Sequence, residues 1–119
     1  MIDLTHINAL IIEAEHLDRP AERYLAAYSS AEQVALALVA GSGPRSAQTV
    51  WILLSRMAPE FGEWAAFFTA LGPRVRAVQA GATALITERD AADLARDAQL
   101  FLDVVVRWLR RHEPAAAVS

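Results

Sequence analysis

The chain has no cysteine and no lysine. Without cysteine there can be no disulfide framework, no thiol nucleophile and no thiolate metal site. All 11 basic residues are arginines. With alanine as the commonest residue, that bias points to a GC-rich bacterial coding sequence rather than to a particular chemistry. Long apolar runs are missing as well. Runs such as 52–54 and 104–106 fall far short of the ~20 residues a membrane-spanning helix needs. Residues 1–15 have neither a basic start nor a small-residue cleavage site, so they do not read as a signal peptide, and the expected location is the cytoplasm. Positive charge is in deficit: 14 acidic against 11 basic residues give a formal charge of −3. A protein built to coat a duplex carries the opposite balance, so a general DNA binder is not expected.

Apolar residues make up 55% of the 119 positions. That is high for one small domain and favours burial of some surface against a second copy. Glycine and proline are few, five of each, and they punctuate helix-period patterns. The first helix is expected over 5–17, with Leu10, Ala14 and Leu17 as its buried stripe. Asp18 then offers an N-cap, with Pro20 in the first turn. The second helix runs to about Ala40 on Tyr24, Ala27, Ala31, Val34 and Leu38, and Gly41 ends it.

Ser46 is the expected cap of a third helix carrying Val50, Leu53, Leu54 and Met57. Pro59 interrupts it or opens the next helix, over 60–71. Gly72 and Pro73 are expected to break that helix before a short one over 74–80. Thr87 and Asp90 mark the start of a long last helix with Leu94, Ala98, Phe101, Val105 and Trp108 in its stripe. No segment alternates with period two, so no sheet is expected. The fold class is all-α, a bundle of four to six helices, forming one domain over 1–113 with a flexible tail over 114–119.

Several blocks resemble an actinobacterial branch of the HEPN superfamily (higher eukaryotes and prokaryotes nucleotide-binding). They are Pro20-Ala-Glu-Arg-Tyr-Leu-Ala-Ala27, Arg45-Ser-Ala47, Leu53-Leu54 with Ala58-Pro-Glu60, Glu63-Trp-Ala-Ala-Phe-Phe68, and Asp93-Leu-Ala-Arg-Asp-Ala98 followed by Phe101-Leu102. The Glu63–Phe68 block is the most specific. The resemblance implies a bundle of four or five helices, often a homodimer. It admits three activities: a metal-independent ribonuclease, a toxin–antitoxin component, or a module without nuclease activity that binds nucleotide, RNA or protein.

The superfamily's nuclease signature is an arginine followed, after four to six residues, by a histidine. Arg107 and His112 supply one match. Arginine can hold a scissile phosphate and histidine can move the 2′-hydroxyl proton. Against this, Trp108 stands where active relatives often carry a polar residue. Residues five apart on a continuous helix also point ~140° apart, so convergence needs a dimer or a helix end. The simpler reading is that Arg107, Arg110, Arg111 and His112 complement the helix dipole.

Arg23 and Tyr24 on the second helix, with Arg45 and Ser46 at the mouth of the third, are candidate binding residues, since a helix N-terminus can receive a phosphate. Trp51, Phe61, Trp64, Phe67 and Phe68, at helical spacing, read as core or dimer interface rather than a base-stacking platform. Asp93, Arg96 and Asp97 form a mixed-charge face expected to pair with Arg23 or Arg56 across the bundle. Glu13-Ala-Glu-His16 is a single Glu-x-x-His pair where a carboxylate-bridged metal site needs two, so neither metal nor cofactor is expected. Taken together, a non-catalytic binding module is favoured over the ribonuclease.

Overall fold

The computed structural model of the chain describes residues 3–40 and 49–112. Among the described residues, five α-helices carry the fold: α1 (Thr5–Ala14), α2 (Pro20–Val39), α3 (Val50–Met57), α4 (Gly62–Gln79) and α5 (Glu88–His112). Single 3₁₀ turns at Pro59–Phe61 and Thr83–Leu85 lead into and out of α4. Among the described residues there is no strand, and the all-α bundle expected from the periodicity is what forms. No described helix is long and apolar enough to cross a membrane.

The architecture centres on α2 and α5, whose mutual contact is the most extensive in the molecule. The α2 stripe is buried as expected, from Tyr24 through Ala27, Ala31 and Val34 to Leu38. The α5 stripe is likewise inside, with Ala98, Phe101 and Val105 fully buried and Trp108 partly so. Small side chains let the two helices approach closely. Ala27, Ala31 and Ala35 on α2, and Ala91 and Ala98 on α5, are all at most 1% exposed. Against this pair α3 and the first half of α4 deliver the aromatics. Trp51, Phe61 and Phe68 are buried, Trp64 is partly buried, and Phe67 is 37% exposed.

Four local expectations are corrected. The buried stripe of α1 is Ile7, Ile11 and Ala14, while Leu10 and Leu17 are 43% and 38% exposed. Both triplets step by four and three residues, so the period alone does not choose between them. The N-cap of α2 is Arg19, not Asp18, and it makes no side-chain cap bond. Pro20 at the first position needs no N–H there, and Arg23 Nη1 reaches back to the carbonyl oxygens of Leu17 (2.9 Å) and Asp18 (3.4 Å). The third helix begins at Val50, where the Thr49 hydroxyl accepts from Ile52 N at 3.4 Å, rather than at Ser46. Lastly, α4 runs through Gly72 and Pro73 without a break. The carbonyl that Pro73 leaves unbonded is that of Thr69, and both residues lie on the solvent side, so the carbonyl is not shut away from water. Val75 and Val78 beyond the proline are buried and hold the second half in line. The expected Gly41 cap, the Arg45–Ser46 pair and the 114–119 tail lie outside the described residues.

Helix α4 ends on Gly81, whose φ of +114° is open to glycine and strained for other residues. Its N–H donates to Val78 O and that of Ala82 to Ala77 O, both at 3.0 Å, a Schellman closure. The start of α5 is a reciprocal capping box: Asp90 N donates to the Thr87 hydroxyl and Thr87 N to the Asp90 carboxylate, each at 3.0 Å. These bonds from Thr87, helped by Arg74, hold the Asp90 carboxyl below its usual range. A depressed carboxyl pKa stabilises the fold above the unfolded value, and that contribution is lost as pH falls through the folded one. Thr87→Ala is expected to lower stability by about 1 kcal/mol at neutral pH. Asp90→Asn should flatten the fall of melting temperature below about pH 4, measured by circular dichroism across a pH series. An acid limb identical to wild type would remove the capping box from this account.

Candidate functional site

The expected catalytic pair sits on the last turns of α5, which stays helical through His112. Arg107 and His112 are both exposed and project ~140° apart around the axis. The His112 ring stacks on Trp108, centroids 4.3 Å apart and planes 19° apart. Its Nδ1 lies 2.8 Å from the Trp108 carbonyl oxygen. A carbonyl only accepts, so Nδ1 carries the proton and Nε2 is the basic nitrogen of the neutral ring.

Trp108 is itself fixed. Its indole leans on Phe61 at 5.4 Å, and its Nε1 donates to Glu60 Oε2 at 3.1 Å. The Glu60 carboxyl is held below its usual range by a backbone hydrogen bond of its own residue and then by Trp108, with His112 and Arg111 adding to the effect. Glu60, Trp108, Arg111 and His112 thus form one polar cluster at the C-terminal end of α5. Sequence reasoning missed Glu60. Its only signal there was a place beside Pro59 in a family block, since its partner lies 48 residues away.

The expected binding residues lie elsewhere. Arg23 is only 18% exposed at its side chain and is engaged with the α1–α2 connection and with Glu88, to which its Nη2 donates. Arg23 therefore pairs with the first turn of α5, not with the Asp93–Asp97 face. Within that face Asp93 is paired along its own helix, with Arg96 at 3.3 Å and Arg89 at 3.9 Å. Tyr24 is buried, and its hydroxyl has no hydrogen-bond partner among the described residues. Burial raises its pKa, and the nearby Arg74 guanidinium, itself 3.8 Å from Asp90, works the other way. From Glu88 to Arg107 is ~28 Å of helix, so the Arg23 end and the His112 end are not one site.

Two grooves between the helices are lined by described residues. One, of about 480 Å³, runs between α1, α2 and α5 past Glu15, Arg23, Glu88, Arg96 and Leu100. The other, of about 520 Å³, runs between α2, α3 and α4 and is lined by Tyr28, Glu32, Thr49, Trp51, Arg76 and Gln79. Its floor is set by the Trp51 indole, which donates to the Tyr28 hydroxyl at 3.0 Å and stacks on Phe68 at 4.7 Å. Glu13, Glu15 and His16 are exposed at the end of α1, and no group of three histidine, aspartate or glutamate side chains among the described residues is placed to hold a metal ion.

Comparison with known proteins gives one family. The family model of the SAV_6107-like HEPN proteins matches residues 14–106. No curated protein and no solved structure matches the chain. The matched span takes in α2, α3, α4 and most of α5 and stops one residue before Arg107, so it lends nothing to the Arg107–His112 pair. It covers the helices that build the core and both grooves, and on that match the chain belongs to the SAV_6107-like HEPN family.

Proposed function

We propose that this chain is a non-catalytic HEPN module that binds a nucleotide, RNA or protein partner, and that the groove between α2, α3 and α4 receives it. The observation that carries this reading is the state of His112. Its ring is stacked on Trp108, one ring nitrogen is engaged by the helix's own carbonyl, and Arg107 projects away from it. A general base needs a partner arginine close enough to hold the same phosphate, and one copy of α5 does not supply it. The groove fits the binding role better. Its volume lies within the ~300–1,000 Å³ typical of ligand pockets. Its walls combine an aromatic floor, a carboxylate at Glu32, a guanidinium at Arg76 and an amide at Gln79.

The test is incubation of a mixed-sequence RNA with the pure protein in EDTA, read both for cleavage and for retention on a native gel. Wild type and His112→Ala are both expected to leave the RNA intact. Retention that weakens in Arg76→Ala would place RNA in the groove, and absence of retention would direct the search to a nucleotide or protein partner. Cleavage by wild type that disappears in His112→Ala would overturn the reading and establish a metal-independent ribonuclease, with Arg107 as its phosphate-holding residue.

A further inference from the structure

Two helix faces wall the groove between α2, α3 and α4. On α2 the face is Leu25, Tyr28, Ser29, Glu32 and Leu36, and on α4 it is Gly72, Val75, Arg76 and Gln79. Both follow the i, i+3, i+4, i+7 pattern of one side of a helix. From Leu25 to Leu36 the α2 wall is ~16 Å long, the reach of about five extended residues. That is longer than a free amino acid and suits a segment of polypeptide. The N-terminal end of α3, at Thr49 and Val50, borders the same groove.

Among the described residues the lining carries one cation and one anion, Arg76 on the α4 wall and Glu32 on the α2 wall. The ion pairs among the described residues involve neither of them. Glu32 is partly buried, and a carboxylate drawn partly out of water favours a ligand that brings it a cation. Arg76 is seated by a glycine. Its guanidinium lies over Gly72, where an added Cβ would stand 3.1 Å from Nη1. Glycine weakens a helix interior relative to alanine, and here the missing side chain leaves room for the guanidinium at the groove wall.

We infer that the groove takes a polypeptide segment presenting one basic and one acidic side chain, the basic one to Glu32 and the acidic one to Arg76. This rests on the reading that the groove receives the partner, and it selects protein from the three partner classes. Charge decides the selection. A nucleotide or an RNA strand brings phosphates in succession and needs an excess of cations to meet them. This lining has none, because Glu32 offsets Arg76. A segment with one charge of each sign matches both walls, and the apolar side chains of Leu25, Leu36 and Val50 are there for the residues beside them.

The experiment is fluorescence anisotropy of short dye-labelled peptides titrated with the full chain at low salt. The peptides are capped at both ends, so that only side chains carry charge. They bear one acid and one base at varied spacing, two acids, two bases, or glutamines in place of both. Wild type is expected to bind the acid–base set at least about tenfold more tightly than any other. Arg76→Glu, which leaves two carboxylates, should turn to the two-base set, and Glu32→Arg to the two-acid set. The double variant carrying both changes should return to the acid–base set, with circular dichroism confirming that each protein is folded. Equal binding of all sets, binding of none, or preferences that the variants leave unchanged would each overturn the assignment. So would RNA retained through Arg76 by a protein that binds no peptide, since the groove would then belong to RNA. RNA cleavage is read in its own assay, so failure of this assignment and failure of the non-catalytic reading are distinguished.

Discussion

Phe101→Ala is expected to destabilise the domain by about 3–5 kcal/mol. Phe101 lies on α5, is fully buried, and packs into the aromatic cluster that α3 and α4 bring to it. Four rings surround it: Phe68 at 5.4 Å, Trp64 at 5.5 Å, Trp51 at 6.0 Å and Phe61 at 6.2 Å. They come from α3, the 3₁₀ turn before α4, and α4 itself. Truncation removes the ring's transfer free energy and leaves a cavity whose walls are rigid rings on three separate elements, so little of it can close. Edge-to-face and tilted contacts contribute beyond the buried area. Because Trp64 and Trp51 border the cavity, the same variant should shift tryptophan emission. Urea denaturation at fixed protein concentration measures the loss. A change under about 1 kcal/mol would mean that the aromatic cluster repacks around the gap.

Ala31→Leu is expected to destabilise by about 1–3 kcal/mol even though leucine is nearly as good a helix former as alanine. Ala31 is fully buried on the α2 face that meets α5, between Ala27 and Ala35, both buried as well. Three small residues in a row let the α2 and α5 backbones come close, and the added leucine atoms have no void to enter. They must push α5 away, and α5 carries Phe101, which packs into the aromatic cluster. Ala66→Leu is the control, because Ala66 lies on the exposed face of α4 and the change there should stay within about 0.5 kcal/mol. Similar losses at both positions would point to helix propensity rather than packing. A neutral Ala31→Leu would mean that α2 and α5 do not depend on small residues for their approach.

Both effects fall on the central helix pair, which is also where sequence reading succeeded. On α2 and α5 the apolar stripe is long and a single face dominates, so a 3.6-residue period identifies the buried side chains from Tyr24 to Leu38 and from Leu94 to Val105. Thr87 and Asp90 were likewise recognisable, because a capping box is completed within four residues. Reading failed where the deciding contact is distant. In α1 two stripes satisfy the same period, and burial by α2 and α5 selects Ile7 and Ile11 over Leu10 and Leu17. At Pro73 the local rule forecasts a break, and Val75 and Val78 in the core override it.

The candidate site shows the same division. That Arg107 and His112 diverge follows from their spacing once the helix is known to be continuous. Their surroundings do not follow: Glu60 reaches Trp108 across 48 residues, and Arg23 reaches Glu88 across 65. The amino-acid sequence alone determined the all-α class, the family, the two central stripes and the start of α5, because each is a property of one helix or of local pattern. The tertiary structure alone decided which face of α1 is buried, whether α4 survives its proline, what holds Arg23 and what fixes His112. Those outcomes depend on which of several locally equivalent options gains a packed or hydrogen-bonded partner, and the partners come from elsewhere in the chain.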